Sequence, residues 1–514
     1  MMKKKTGVLI ILTALLTACE KGIPLEFKQY EYLNEASNTI SVVNKLTIED
    51  KPGVVIKTGV KEYSNLNDVN QGFDQNNRVL LSNNIDPTQI IEQKILVVPV
   101  YFTDSSVASN EQLKEDKKVL IENAFFGDSG YTTYQSVSSY YNKSSYGHLR
   151  LSGEVLDWMA INTSGASAAA SSKSKPEDYT DSVARQIAES LSEDKFNEYS
   201  KNKEGILDSL FIVYDYPYQK EHSDTTLLWA FSSHCQNSDK VSAYAWTSFD
   251  FLGTDVLDTH LVDSTTYIHE TGHLLGLLDY YNDRSGVSYQ PTGFMDMMDY
   301  NLGDHSPISK FLLNWTSPTV LDMGESNEKS ITLKSFSETG EFILIPRGSY
   351  NGTAFDKYLL VSYFTPTGLN DMSNYPSYVY LDKNNNQQAF TYPNKRGVMM
   401  HEIDARLAYY KADVIRNIIP TCTVDETPDA GNYVINFYRD NQITNDKDVP
   451  FVHLLESSGL NTFKEGLCAS NDTLFKFGST FGIDTFEELS NECGVSFKIS
   501  KLSLNEVTIT FNKK

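Results

Sequence analysis

Two histidines four residues apart, then a glycine three residues on and an aspartate three beyond that, constrain this chain more than any other feature. The stretch reads Asp263-Ser264-Thr265-Thr266-Tyr267-Ile268-His269-Glu270-Thr271-Gly272-His273-Leu274-Leu275-Gly276-Leu277-Leu278-Asp279. On a helix, residues i and i+4 share one face, so His269 and His273 present both imidazoles to a common point one turn apart. Gly276 adopts a positive φ at little cost and ends the helix sharply, where any side chain would resist that conformation. A turn at Gly276 swings Asp279 back toward the imidazoles.

That spacing suits two ring nitrogens reaching one Zn²⁺ at about 2.0–2.1 Å, with Asp279 as third ligand. Glu270, next to the first histidine, can aim its carboxylate at a water on the metal without being a ligand. Zinc lowers the pKa of bound water toward about 7, and a neighbouring carboxylate can take the proton and later pass it to a leaving amine. A site of the thermolysin type would need a Glu on a later helix, and no good candidate is present. With nine histidines in 514 residues, the bare HExxH pattern arises by chance in roughly one such chain in a hundred. The added Gly and Asp make a chance match far rarer, so the reading of two solvated surface histidines is disfavoured. His148, His222, His234, His260, His401 and His453 have no companion at ligand spacing and read as ordinary core or surface residues.

The next segment, Gly293-Phe294-Met295-Asp296-Met297-Met298-Asp299-Tyr300, adds to this. Metzincin peptidases carry a methionine turn that forms an apolar floor below the metal. Met298 is the first choice for that methionine, with Met297 and Met295 as fallbacks; methionines filling a core gap are the alternative. Tyr300 falls two residues after Met298, the spacing at which some metzincins place a tyrosine that can hydrogen-bond a developing oxyanion. A purely structural tyrosine stays equally open. His305 could serve similarly or hold a carboxylate that orients a ligand.

Together these residues resemble the immune inhibitor A-like family of secreted bacterial zinc metallopeptidases. Ser139-Tyr140-Tyr141-Asn142-Lys143-Ser144-Ser145-Tyr146-Gly147 is similar to that family's segment before the catalytic helix. Gly303-Asp304-His305, leading to Ser309-Lys310 and Leu313-Asn314-Trp315, is similar to the segment closing its peptidase domain. Gly397 to Leu407 resembles a stretch of its β-rich downstream region. Coverage runs from about Ile95 to Leu407 and is strongest over 259–315. The resemblance implies His269, His273 and Asp279 as zinc ligands and Glu270 as the catalytic carboxylate. It departs at Tyr199 to Gly205, where relatives often carry an acidic, calcium-like loop; lysines and a serine there supply too few carboxylate oxygens.

The N-terminus reads as an address. Lysines 3–5 precede an apolar run from Val8 to Leu16, well short of the roughly 20 residues that cross a bilayer. Leu16-Thr17-Ala18-Cys19 then resembles a bacterial lipobox, in which the cysteine is diacylated. Two acyl chains anchor where one does not. Residues 1–18 are therefore expected to be a lipoprotein signal peptide, with Cys19 lipidated and the protein held outside the cytoplasm on a bacterial cell membrane or outer membrane. Losing three lysines would take the net charge from −23 to −26. That acidity argues against nucleic acid as a partner, which requires a basic face. Cys235, Cys422, Cys468 and Cys493 form no CxxC pair. Cys468 with Cys493 is the nearest pair, and free thiols are equally open.

Residues 19–88 are polar and read as a tether or pro-region. From Ile95-Leu96-Val97-Val98-Pro99-Val100-Tyr101-Phe102, a buried strand, the chain alternates strands with helices at Asn110–Ala124 and Glu177–Leu191. The Ser/Ala stretch from Ser164 to Ser174 reads as a surface loop. After Ser317 short strand-like runs dominate, with Ala405–Ile419 the main helical exception. The expected fold is α+β: a metzincin-like zinc peptidase domain with a mixed twisted sheet over 89–316, then an all-β, sandwich-like domain over 317–514. The expected function is a zinc-dependent endopeptidase acting on protein or peptide substrates. Two alternatives stand beside it: a surface-anchored binding lipoprotein with a vestigial zinc domain, and a zinc hydrolase of non-peptide amides or esters.

Overall fold

The computed structural model describes residues 90–514, apart from 172–175, 201–204, 208, 219–227, 236–237, 239, 254, 283–288, 349, 351–353, 355, 374–377, 382–386, 406, 410–433 and 437–449. The expected signal peptide, Cys19, the 19–88 segment, Cys422 and most of the 199–205 loop lie outside the described residues. The chain is α+β and falls into two compact units, one ending at Leu277 and the other starting at Leu278.

The first unit is built on a six-stranded mixed sheet. Its strands are β1 (Ile91–Tyr101), β2 (Leu149–Val155), β3 (Met159–Ala160), β4 (Leu210–Asp215), β5 (Phe231–His234) and β6 (Ala243–Ser248). They run in the order β2-β1-β4-β6-β5, with β3 also on β1. All pairs are parallel except β5 on β6. A parallel sheet covered on both faces takes near-continuous apolar runs, which is why Leu96 to Val100 and all of β4 and β6 are apolar or buried.

One face carries Leu96, Val98, Val100, Ile212, Tyr214 and Trp246 against Val183, Ala184 and Ile187 of the helix Pro176–Ser190. Across the other, Phe211 meets Phe125 at 4.7 Å and Tyr267 at 5.3 Å between ring centroids. Those two rings come from the helices Glu111–Phe126 and Thr265–Leu274, so the histidine-bearing helix is fixed to the sheet by an aromatic contact. The Ser/Ala stretch is helical over Gly165–Ser171, not a loop. Ser164 Oγ and Asp104 Oδ1 accept its first amides, and Ala168 and Ala169 are buried.

The second unit holds two main sheets. The five-stranded one runs Val452–Leu455, Gly397–Asp404, Lys357–Phe364, Phe342–Pro346, Thr319–Val320; the four-stranded one runs Thr480–Phe481, Val495–Leu502, Glu506–Lys513, Glu328–Lys334. Directly opposed residues form rows: Ile343, Val361, Met400 and Leu455 in the first sheet, Phe481, Phe497 and Phe511 in the second. Both rows belong to one apolar cluster, so the sheets share a core as in a sandwich. Leu407–Tyr409 is a strand paired with Val434–Asn436, not the start of a helix; the rest of 405–419 beyond Ala405 lies outside the described residues.

The texture of the sequence changes at Ser317, yet the compact unit begins near residue 278. The intervening segment spends its backbone hydrogen bonds on the second unit: Leu454 N donates to Pro291 O at 2.9 Å, and Ala469 N to Gly293 O at 3.0 Å. Asp304 N donates to Asn370 Oδ1 at 3.1 Å.

On the opposite face of the five-stranded sheet, His401 stands in an apolar row between Leu360 and Leu454. Burial pushes its pKa down from 6.5 to about 4, partly opposed by the Asp296 charge and reinforced by His453. Because the folded value lies below the unfolded one, the unfolded chain takes the proton first as pH falls. Stability present above about pH 6.5 is then lost toward pH 4, by about 3 kcal/mol at 1.4 per pH unit. His401→Leu is expected to lose clearly less stability than wild type between pH 7 and 4.5 in urea titrations. Equal acid losses would contradict this assignment.

Candidate metal centre

The helix Thr265–Leu274 starts where Asp263 Oδ1 accepts from Thr265 N at 3.0 Å and from its hydroxyl at 2.7 Å. Tyr141 OH donates to Ile268 O at 2.7 Å and Tyr267 OH to Ser248 O at 3.2 Å, locking the helix from two sides. The histidine rings lie 4.8 Å apart between centroids.

The helix ends as its sequence demands. Gly276 sits at φ +91°. Leu277 N donates back to Gly272 O at 3.0 Å, and Gly276 N to His273 O at 2.8 Å. This pair of bonds is the Schellman arrangement, in which the left-handed residue follows the helix directly. The same turn aims Leu277 O at the helix, where His273 Nδ1 meets it at 2.8 Å. A carbonyl oxygen only accepts, so Nδ1 carries the proton and Nε2 keeps its lone pair for a metal.

One group among the described residues has the composition and closeness to hold a metal ion: His269, His273 and Asp279, whose ligand atoms all lie within 4.8 Å of one another. Two atoms on one zinc at 2.0–2.1 Å are at most about 4.2 Å apart. In a tetrahedral site the spacing is about 3.4 Å, so closing on an ion draws these atoms together by at most about 1.4 Å. The donor set fits a divalent metal that accepts nitrogen and oxygen. Glu270, 5% exposed, lies beside it in sequence, and Ser232 Oγ donates to its Oε2 at 3.0 Å and to its backbone O at 3.1 Å.

Past Asp279, Tyr280 N donates to Met298 O at 2.8 Å, joining the chain after the third candidate ligand to the methionine segment. Met298, Met297 and Met295 are all buried. Two carboxylates shape that segment. Asp296 accepts from Met298 N and Ser306 N, both at 2.7 Å, and Asp299 accepts from Phe294 N at 2.8 Å and from Thr292 Oγ1. Burial alone would raise the Asp296 pKa, but hydrogen bonds and the neighbouring His305 hold it below the ordinary carboxylate value. His305 Nδ1 lies 3.7 Å from Asp296 Oδ1.

Tyr300 stacks on Phe294 at 4.1 Å and meets Phe390 edge-on at 6.4 Å. Burial pushes its phenol pKa far up, so the hydroxyl stays protonated. Cys235, Cys468 and Cys493 are not in disulfides, so of the pairings left open the one between Cys468 and Cys493 is not formed.

Sequence reasoning missed Ser232, Asp296, Asp299 and the Leu277 carbonyl. Only Asp296 left a signal, since an Asp ahead of a short turn is a common helix cap. No protein-family model matches the chain, and no curated protein matches it. No helix among the described residues is long and apolar enough to cross a membrane.

Proposed function

We propose that the chain is a zinc-dependent endopeptidase of metzincin type, lipid-anchored through Cys19 outside the cytoplasm, that hydrolyses peptide bonds in extracellular proteins. The observation carrying this reading is the convergence of His269, His273 and Asp279 on one point, with Glu270 next to the first of them in the chain.

Zinc, when bound by these three residues, supplies a Lewis acid that polarises a carbonyl and acidifies water. Glu270 takes the proton from the attacking water onto its carboxylate and returns it to the leaving amine nitrogen. Tyr300, held neutral by burial, is the proposed donor to the developing oxyanion. Two neutral imidazoles and one carboxylate leave the metal site at a net charge of about +1, against +2 for three histidines. With zinc bound, water there would be acidified less than beside three histidines, and proton transfer would lean harder on Glu270.

The test is metal content together with peptide-library and casein cleavage by the purified ectodomain, with and without chelator. Cleavage that stops on chelation and returns with zinc supports the reading. Intact metal binding with no cleavage of any peptide, but turnover of small amides or esters, would replace it with the non-peptide hydrolase.

A further inference from the structure

We propose that Ser232 is a positioning residue that holds the Glu270 carboxylate in its working orientation; this rests on the peptidase reading above. Ser232 lies on β5, an edge strand of the first sheet and, among the described residues, its only antiparallel one, 38 residues before Glu270 in the chain. Its single hydroxyl proton faces two oxygens of the same residue: Oε2 at 3.0 Å and the backbone carbonyl at 3.1 Å. One donor thereby ties the tip of the glutamate side chain to a point fixed relative to its own main chain.

A glutamate has three rotatable side-chain bonds, and a general base works only within about half an ångström of its productive position. The backbone end of Glu270 is already rigid, because the flanking Ile268 carbonyl accepts from Tyr141 OH and Tyr267 is packed on Phe211. The carboxylate end needs its own restraint, and the Ser232 hydroxyl supplies one from a different element. Ser232 is not one of the three metal-ligand candidates, and it acts on the reaction only through the Glu270 carboxylate that it holds. Its effect should therefore fall on kcat rather than on metal retention or KM.

Ser232→Ala is expected to lower kcat at least about 10-fold on a peptide substrate, with KM within about 2-fold of wild type and zinc content unchanged. Ser232→Thr, which keeps the hydroxyl on a strand-compatible side chain, should recover most of the loss. In the Glu270→Gln background, Ser232→Ala should change the residual rate by less than about 2-fold, since residues acting through one another are not additive. A readout independent of turnover is the crystal structure of Ser232→Ala, in which the Glu270 side chain should leave its present rotamer. If wild type cleaves peptides while Ser232→Ala matches its kcat and keeps the Glu270 rotamer, this inference is overturned and the peptidase reading stands. If wild type cleaves no peptide, both fall.

Discussion

Glu270→Ala is expected to purify with its metal and without its hydrolysis. The carboxylate is not among the three side chains whose ligand atoms converge, so removing it leaves the donor set whole. What disappears is the group that accepts and returns the proton, a contribution of about 10²–10⁴-fold in rate. The effect should lie toward the upper end, because a site with one anionic ligand acidifies water less and depends more on its base. Metal content by mass spectrometry and casein cleavage on the same preparation check both halves. A variant cleaving near the wild-type rate would remove Glu270 from the mechanism.

Asp279→Ala is expected to have the opposite profile, losing metal first and activity as a consequence. Two imidazoles alone hold a zinc ion poorly. Loss of an outer hydrogen-bond partner typically costs 10–100-fold in metal affinity, and loss of a direct ligand should cost more than about 100-fold. The aspartate reaches the histidines only because the chain reverses at Gly276, φ +91°, with Leu277 N bonded back to Gly272 O. A competition titration with a chromogenic chelator reads the affinity directly. Full metal occupancy in Asp279→Ala after dialysis would reject it as a ligand.

The parts of the molecule legible in its residues are those governed by local rules. The repeat of Val183 and Ile187 marks the helix Pro176–Ser190, and the run from Ile95 to Val100 marks a buried strand, because periodicity and burial act over a few residues. The histidine helix and its glycine end are local in the same sense, so the donor set could be named from seventeen consecutive residues.

Where the outcome depends on distant partners, the residues say little. Ala243–Ser248 is a strand buried at every position, and its mixture of Ala, Tyr, Trp, Thr and Ser has no alternation to mark it. The Ser/Ala stretch becomes helical partly because Asp104, 61 residues earlier, accepts its Gly165 amide. Ser232 meets Glu270 across 38 residues with no motif linking them. The compact boundary near 278 is likewise set by backbone bonds from Leu454 and Ala469, which no composition shift announces.

Everything proposed for this chain depends on three side chains closing on a single ion. Crystals grown with zinc, with diffraction collected on both sides of the zinc absorption edge, examine that closure directly. One anomalous peak is expected, bonded to His273 Nε2, one His269 ring nitrogen and one Asp279 oxygen at about 2.0–2.2 Å. A peak elsewhere, or none with those three side chains turned apart, would contradict the account.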